Sequence, residues 1–152
     1  MKKSQLSRIA KSSIVLCALL LSGGSTRIYA DTPGVHPFYL HAIDYLRQAR
    51  ALLETHFNEP KHIQTVAEAV PKVDSAISDL KNASKLDDKH LSGVPPPDGS
   101  LDEKGRLHKA AELLRMAHQE AAKPESDPLA KPLQARGLRD IDEASAILQK
   151  VL

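Results

Sequence analysis

The sequence predicts an all-α protein, a four-helix bundle running up-down-up-down from two similar helical hairpins. Three observations carry this expectation. Four separate stretches repeat their apolar residues in steps of three or four. Proline, asparagine and glycine cluster between those stretches. No segment between turn signals alternates apolar and polar residues with the period of two that a half-buried strand needs.

Residues 1–30 stand apart from this pattern. Lys2, Lys3, Arg8 and Lys11 precede the apolar run Ser13 to Leu21 with no acidic residue among them, and Ser22-Gly23-Gly24-Ser25 follows. That order is the signature of a secretory signal peptide, and the run is too short for a membrane span, which takes about 20 residues. Cleavage after Ala30 fits the small residue wanted before the cut, with Gly24 or Ser25 as the alternative. Cys17 lacks the small residue that precedes a lipidated cysteine. The expectation is an exported protein, periplasmic or secreted, with 31–152 as one bundle domain and no stable membrane anchor after cleavage.

The whole chain holds 21 Lys+Arg and 19 Asp+Glu. Five of the bases fall in residues 1–30, so the remainder keeps 16 against 19 and carries about −3. A nucleic-acid partner is not expected, because it requires a clustered basic face. The single cysteine, Cys17, leaves with the signal. The mature domain therefore has to stand on its core, without disulfides, and its 122 residues suffice for one.

The first helix is expected from Pro37 to about Phe57. Pro37 suits a first helical position, where its missing N–H costs nothing. Tyr39, Ala42, Leu46, Ala49 and Leu53 form a wide apolar face, and the stretch 36–50 holds three of the five aromatic residues. Asn58-Glu59-Pro60 breaks the chain. A second helix follows to about Leu86, with Ile63, Val66, Val70, Val73, Ile77 and Leu80 as its seam and Pro71 as a kink. Pro95-Pro96-Pro97-Asp98-Gly99 marks the connection between hairpins. Ser100-Leu101-Asp102-Glu103 reads as a capping box with Ser100 as N-cap, opening a third helix. Gly105 weakens its first turn by up to about 1 kcal/mol relative to alanine. Leu107, Ala110, Ala111, Leu114, Ala117 and Ala121 give it an apolar face, and Lys123-Pro124 ends it. The fourth helix starts between Leu129 and Leu133 and carries Leu138, Ile141, Ala144, Leu148 and Leu152.

Two echoes suggest an internal duplication. Leu46-Arg47-x-Ala49-Arg50 returns as Leu114-Arg115-x-Ala117-His118, and Val73-Asp74-x-Ala76 as Ile141-Asp142-x-Ala144. Arg50 and His118 thus hold equivalent places in one helix pair, and Asp74 and Asp142 in the other. They form a candidate polar inter-helix cluster.

Seven histidines lie beyond residue 30, at 36, 41, 56, 62, 90, 108 and 118. Two imidazoles share a helix face at spacings of three or four, and no His-x-x-x-His occurs. Glu59-x-x-His62 straddles the break at Pro60. A metal site would have to be composite, and in an up-down bundle the candidates are His36, His41, His90 and His108. Haem attachment through Cys-x-x-Cys-His is excluded by composition. Met116 or His118 could ligate a haem non-covalently, but Met116 sits beside the seam, where core filling is its ordinary use. No cofactor is expected. No nucleophile has a base and an orienting partner in evident register, and no glycine-rich phosphate loop opens a helix, so an enzyme is not expected.

The stretch His36-Pro37-x-Tyr39-Leu40-His41-Ala42, leading into Leu46-Arg47-x-Ala49-Arg50, resembles small exported helical-bundle proteins of bacteria. Gly105-Arg106-Leu107-His108-Lys109-Ala110 and Ile141-Asp142-Glu143-Ala144 belong to the same resemblance, which covers most of residues 31–152. It implies a helical fold and a place in the bacterial envelope, with no activity attached. A looser similarity links the chain to histidine-rich periplasmic metal-binding helical proteins, from which it departs in lacking their dense, regularly spaced histidines. The resulting expectation is an exported binding or interaction module for a protein or small-molecule partner. Its alternatives are a metal or haem carrier using inter-helix histidines and an assembly factor that sequesters partner proteins.

Overall fold

The computed structural model describes residues 37–85, 93–94, 96–97 and 99–152; the expected signal segment, His36 and His90 lie outside them. The described residues form four helices and no strand: α1 (Pro37–Leu53), α2 (Pro60–Ser84), α3 (Glu103–Ala121) and α4 (Lys131–Gln149). The fold is a four-helix bundle of two hairpins, as the apolar periodicity requires.

Each helix boundary has a local cause. Proline stands in the first turn of α1, α2 and α4, where no intrahelical donor is lost. α1 stops at Leu53, short of the Phe57 expected from sequence. The Thr55 hydroxyl donates to the Leu52 carbonyl at 2.7 Å, closing the helix, and Phe57 tucks into the core from the link. α2 runs 25 residues through Pro71 as one helix. Pro71 and Ala67 are both exposed, so water can take the carbonyl that proline leaves unpaired. It ends on Lys85, whose φ of 54° turns the chain into the left-handed region.

The capping box is corrected. The N-cap of α3 is Asp102, not Ser100: its carboxylate accepts from the Gly105 N–H at 2.7 Å. A Cβ at position 105 would stand 2.8 Å from that same oxygen, so the glycine that weakens the turn also admits the cap. Glu103 does not fold back on its own helix; it turns outward to another segment.

The core faces of α1 and α3 are the expected ones, with Tyr39, Ala42, Leu46, Ala49 and Leu53 answered by Leu107, Ala110, Leu114, Ala117 and Ala121. The face of α2 is rotated from expectation. Ala69, Val73, Ala76, Leu80 and Ala83 are buried, Val66, Val70 and Ile77 flank them, and Ile63 is 50% exposed. Small residues occupy the centre because α2 and α4 lie close: an added Cβ on Gly137 would sit 3.0 Å from Leu80 and 3.6 Å from the Ala76 carbonyl.

The order of the helices also differs from a simple up-down-up-down run. α1 packs chiefly on α3 and α2 on α4, with the hairpin pairs α1–α2 and α3–α4 completing the ring. Both principal pairs are antiparallel. The start of α1 meets the end of α3 through Tyr39 and Glu125, while the end of α1 meets the start of α3 through Phe57 and Arg106. Along α2 and α4, Glu68 faces Lys150, Lys72 faces Glu143, and Asp79 faces Arg136. The helices therefore run up, down, down, up. A shift of 68 residues, the step from Arg50 to His118, carries α1 onto α3 and α2 onto α4, and sets most buried positions, among them Tyr39, Leu46, Val73 and Leu80, onto buried ones. The two hairpins face each other as near-equivalent halves.

Two substitutions probe these causes. Asp102→Ala should lower stability by about 0.5–2 kcal/mol in urea denaturation, through loss of the cap. Gly137→Val should lower it by about 1–3 kcal/mol, because the buried Leu80 side chain has no room to retreat.

Candidate functional site

The bundle has two ends, and each is tied by a polar contact between segments distant in sequence. At the end where the α1–α2 link meets the start of α3, Glu103 is the centre. Its Oε1 accepts from the Asn58 backbone N–H at 2.7 Å and from Asn58 Nδ2 at 2.8 Å. Its Oε2 lies 2.9 Å from His62 Nδ1 and accepts from Glu59 N–H at 3.4 Å. The His62 hydrogen bond, followed by the backbone N–H of Asn58, holds the Glu103 carboxyl down at about 2. An ionised carboxylate can only accept, so His62 carries a proton on Nδ1 and donates it. The other ring nitrogen, Nε2, is 3.3 Å from Glu59, and the imidazole is buried.

Arg106 completes this end. Its guanidinium lies 4.9 Å from the Phe57 ring centroid and donates to the carbonyls of Leu101 at 2.9 Å and His56 at 2.8 Å. The Arg106 Nε is buried with no hydrogen-bond partner. Phe57 meets the His62 ring edge-on at 6.3 Å.

At the opposite end the fully buried Tyr39 donates its hydroxyl to Glu125 Oε2 at 2.9 Å, and Glu125 Oε1 accepts from Asp127 N–H at 2.8 Å. Burial first, then the hydrogen bond and charge of Glu125, push the phenol far above its ordinary range. Gln134 Nε2 donates to the carbonyls of Ala121 and Lys123, both at 2.7 Å, and so caps the end of α3. Between the ends, Asp79 accepts a two-pronged bond from Arg136, Nε at 3.0 Å and Nη2 at 2.6 Å. Lys72 binds Glu143, with Asp140 3.8 Å away.

The structure places the residues singled out from sequence as follows. Arg50 donates through Nε to Asp74, and its Nη1 reaches Glu54 at 3.0 Å. His118 Nε2 lies 3.4 Å from Asp142. These are two separate pairs, each joining the helices of one hairpin and each spanning 24 residues. Both are substantially exposed, which limits either to about 1 kcal/mol. Of the composite metal site, His36 and His90 lie outside the described residues, and topology separates the other two. The site required the starts of α1 and α3 to share an end, and antiparallel packing puts His41 and His108 at opposite ends of the bundle. Among the described residues no three His, Cys, Asp or Glu side chains converge on a cation position.

Sequence reasoning missed Glu103, Tyr39–Glu125 and Asp79–Arg136. Tyr39 carried a signal: a tyrosine in a core seam brings a hydroxyl that needs a buried acceptor. The sequence around Glu103 reads as a local cap, and nothing in its neighbourhood points to a link 45 residues earlier.

The surface offers a different type of feature. A crevice of about 420 Å³ runs between α1 and α3, floored by Leu52 and Leu113, edged by Gln48 and Lys109, and walled by Pro96 and Pro97 of the connection between hairpins. No helix among the described residues is long and apolar enough to cross a membrane. Comparison of the chain with protein-family models, curated proteins and solved structures finds no match.

The pH dependence of Glu103 is specific. A carboxyl lowered from 4.5 to about 2 stabilises the fold fully above its unfolded value, and that stabilisation fades as pH falls from 4.5 toward 2. Urea midpoints of the wild type and Glu103→Gln, measured across this interval, should converge as pH falls. A constant difference between them would show that Glu103 does not titrate as described.

Proposed function

We propose that this chain is an exported interaction module, with residues 1–30 as its export signal and a partner protein as its ligand. The observation that carries the reading is the crevice between α1 and α3. There two leucines from separate helices meet a proline pair whose backbone is already restricted, so an apolar side chain can enter with little ordering cost. Gln48 and Lys109 at the edge offer hydrogen bonds to the backbone or carboxylates of such a partner. A non-enzymatic role has separate support. The strongly perturbed groups, Glu103 and Tyr39, each have internal partners that tie together chain segments, which accounts for their perturbation structurally.

Site-specific photocrosslinking in cells that produce the full chain tests this reading. A benzoylphenylalanine at Gln48 or at Lys109 should give a discrete protein adduct, and the same group at Gln64, exposed on α2, should not. Absence of an adduct from both crevice positions would reject the module. Tight binding of zinc, copper or hemin by the purified protein would favour the carrier alternative.

A further inference from the structure

The near-equivalence of the two hairpins supplies an internal comparison, because each position in one half has a counterpart 68 residues away. On the outer side of α3 and α4 lies a hollow of about 570 Å³ lined by Ala111, Arg115, His118, Asp142, Ser145 and Gln149. The counterparts of its two small residues, Ala111 and Ser145, are Ile43 and Ile77. Ile43 is fully buried and Ile77 half-buried against the core. The charged rim, by contrast, is kept: Arg47 answers Arg115, Asp44 answers Glu112, and the Arg50–Asp74 pair answers His118–Asp142. The second hairpin carries less apolar bulk than the first at these two places and has the same pattern of charges around them.

The polar groups of the hollow are not equally engaged. Glu112 is paired with Lys109 at 2.8 Å, and Asp142 with His118. Arg115 enters no ion pair or hydrogen bond; Lys109 foremost, and the Arg115 charge more weakly, hold the Glu112 carboxyl below its usual range. Ser145, Gln149 and the neighbouring Gln119 likewise make no side-chain hydrogen bond. One guanidinium, one hydroxyl and two amides are thus available as donors, beside a carboxylate, Asp142, that is still two-thirds exposed.

We propose that this hollow binds a small zwitterion of the α-amino-acid class. The ligand carboxylate lies on Arg115, whose planar fork donates to its two oxygens, with Ser145 and the glutamines completing its hydrogen bonds. The ligand ammonium faces Asp142. A simple dianion is disfavoured by the two carboxylates of the rim, and a simple cation by Arg115. This site lies on another face from the crevice between α1 and α3 and touches it only through the Lys109–Glu112 pair.

The test is a nitrogen-15 NMR titration of the protein recovered from cells producing the full chain, with each free amino acid as the probe. Saturable shifts at Ser145 and at the Arg115 and glutamine side chains are expected with at least one of them. Ala111→Ile combined with Ser145→Ile copies the first hairpin and should abolish those shifts while helical content is unchanged. Arg115→Ala should weaken binding by about tenfold or more. The proposal is overturned by absence of saturable shifts with every amino acid, by equal binding in the filled variant, or by acetate or inorganic phosphate alone reproducing the response. Should the filled variant fail to fold, Arg115→Ala decides, and unchanged affinity there rejects the site.

Discussion

The close approach of α2 and α4 is the constraint on which the rest of the bundle depends. Ala69, Ala76, Gly137 and Ala144 leave so little between the two backbones that one additional methyl group at Gly137 would press on Leu80. Two helices this close cannot slide or rotate independently, since interiors are packed too densely to absorb the shift. The ionic contacts flanking them, Lys72 with Glu143 and Arg136 with Asp79, follow from that register. So does the spacing of α1 from α3, because each hairpin carries its first helix along with its second. Between α1 and α3 the fully buried Tyr39, Leu46, Leu107 and Leu114 alternate with Ala42, Ala49, Ala110 and Ala117.

The buried polar groups serve the same geometry at the two ends. Glu103 and Arg106 hold the start of α3 to the link that leaves α1, and Tyr39 and Glu125 hold the start of α1 to the link that leaves α3. The two ends are equivalent in position but not in chemistry. The shift of 68 residues sets Phe57 opposite Glu125, so one half closes on an aromatic ring under a guanidinium and the other on a carboxylate under a phenol. Such divergence is tolerable because each corner solves its own hydrogen-bonding problem; neither needs the other's residues. The outer hollow of the second hairpin is a further divergence: where the first hairpin sets Ile43 and Ile77 against the core, the second has Ala111 and Ser145.

Four helices, their approximate ends and the duplicated hairpin are legible in the sequence because apolar period and proline placement act locally. Tyr39, Ala42, Leu46 and Ala49 declare a buried face without reference to any other segment. The face of α2 is less legible. Its β-branched residues form the more conspicuous stripe, yet alanines occupy the centre, and that preference exists only once α4 supplies Gly137 and Ala144. Helix direction is illegible for the same reason. Nothing in a periodic stretch distinguishes α3 running beside α1 from α3 running against it, and the metal site built on His41 and His108 failed on that point. Of the candidate polar cluster, the places of its four members beside the seams are legible, but their division into Arg50 with Asp74 and His118 with Asp142 is given only by the fold. Glu103 and Asp79 depend on segments that only the tertiary fold brings near.

The up-down-down-up order carries a consequence for how the chain assembles. Each hairpin closes through a short link and local contacts, whereas docking one hairpin on the other joins residues far apart in sequence. Folding is then expected to divide into two fast local events and one slower encounter, as contact order implies. The end of α2 and the start of α3 stand at opposite ends of the bundle, about 30 Å apart by the length of α3, and eighteen residues join them in sequence. Their extended reach is about twice that, so the tether does not dictate which copy of the second hairpin meets the first. At high concentration two chains could exchange hairpins and bury the same surfaces in a symmetric dimer. The closure entropy of so long a connection changes slowly with its length, so residues added to it, away from Pro96 and Pro97, cost little through closure.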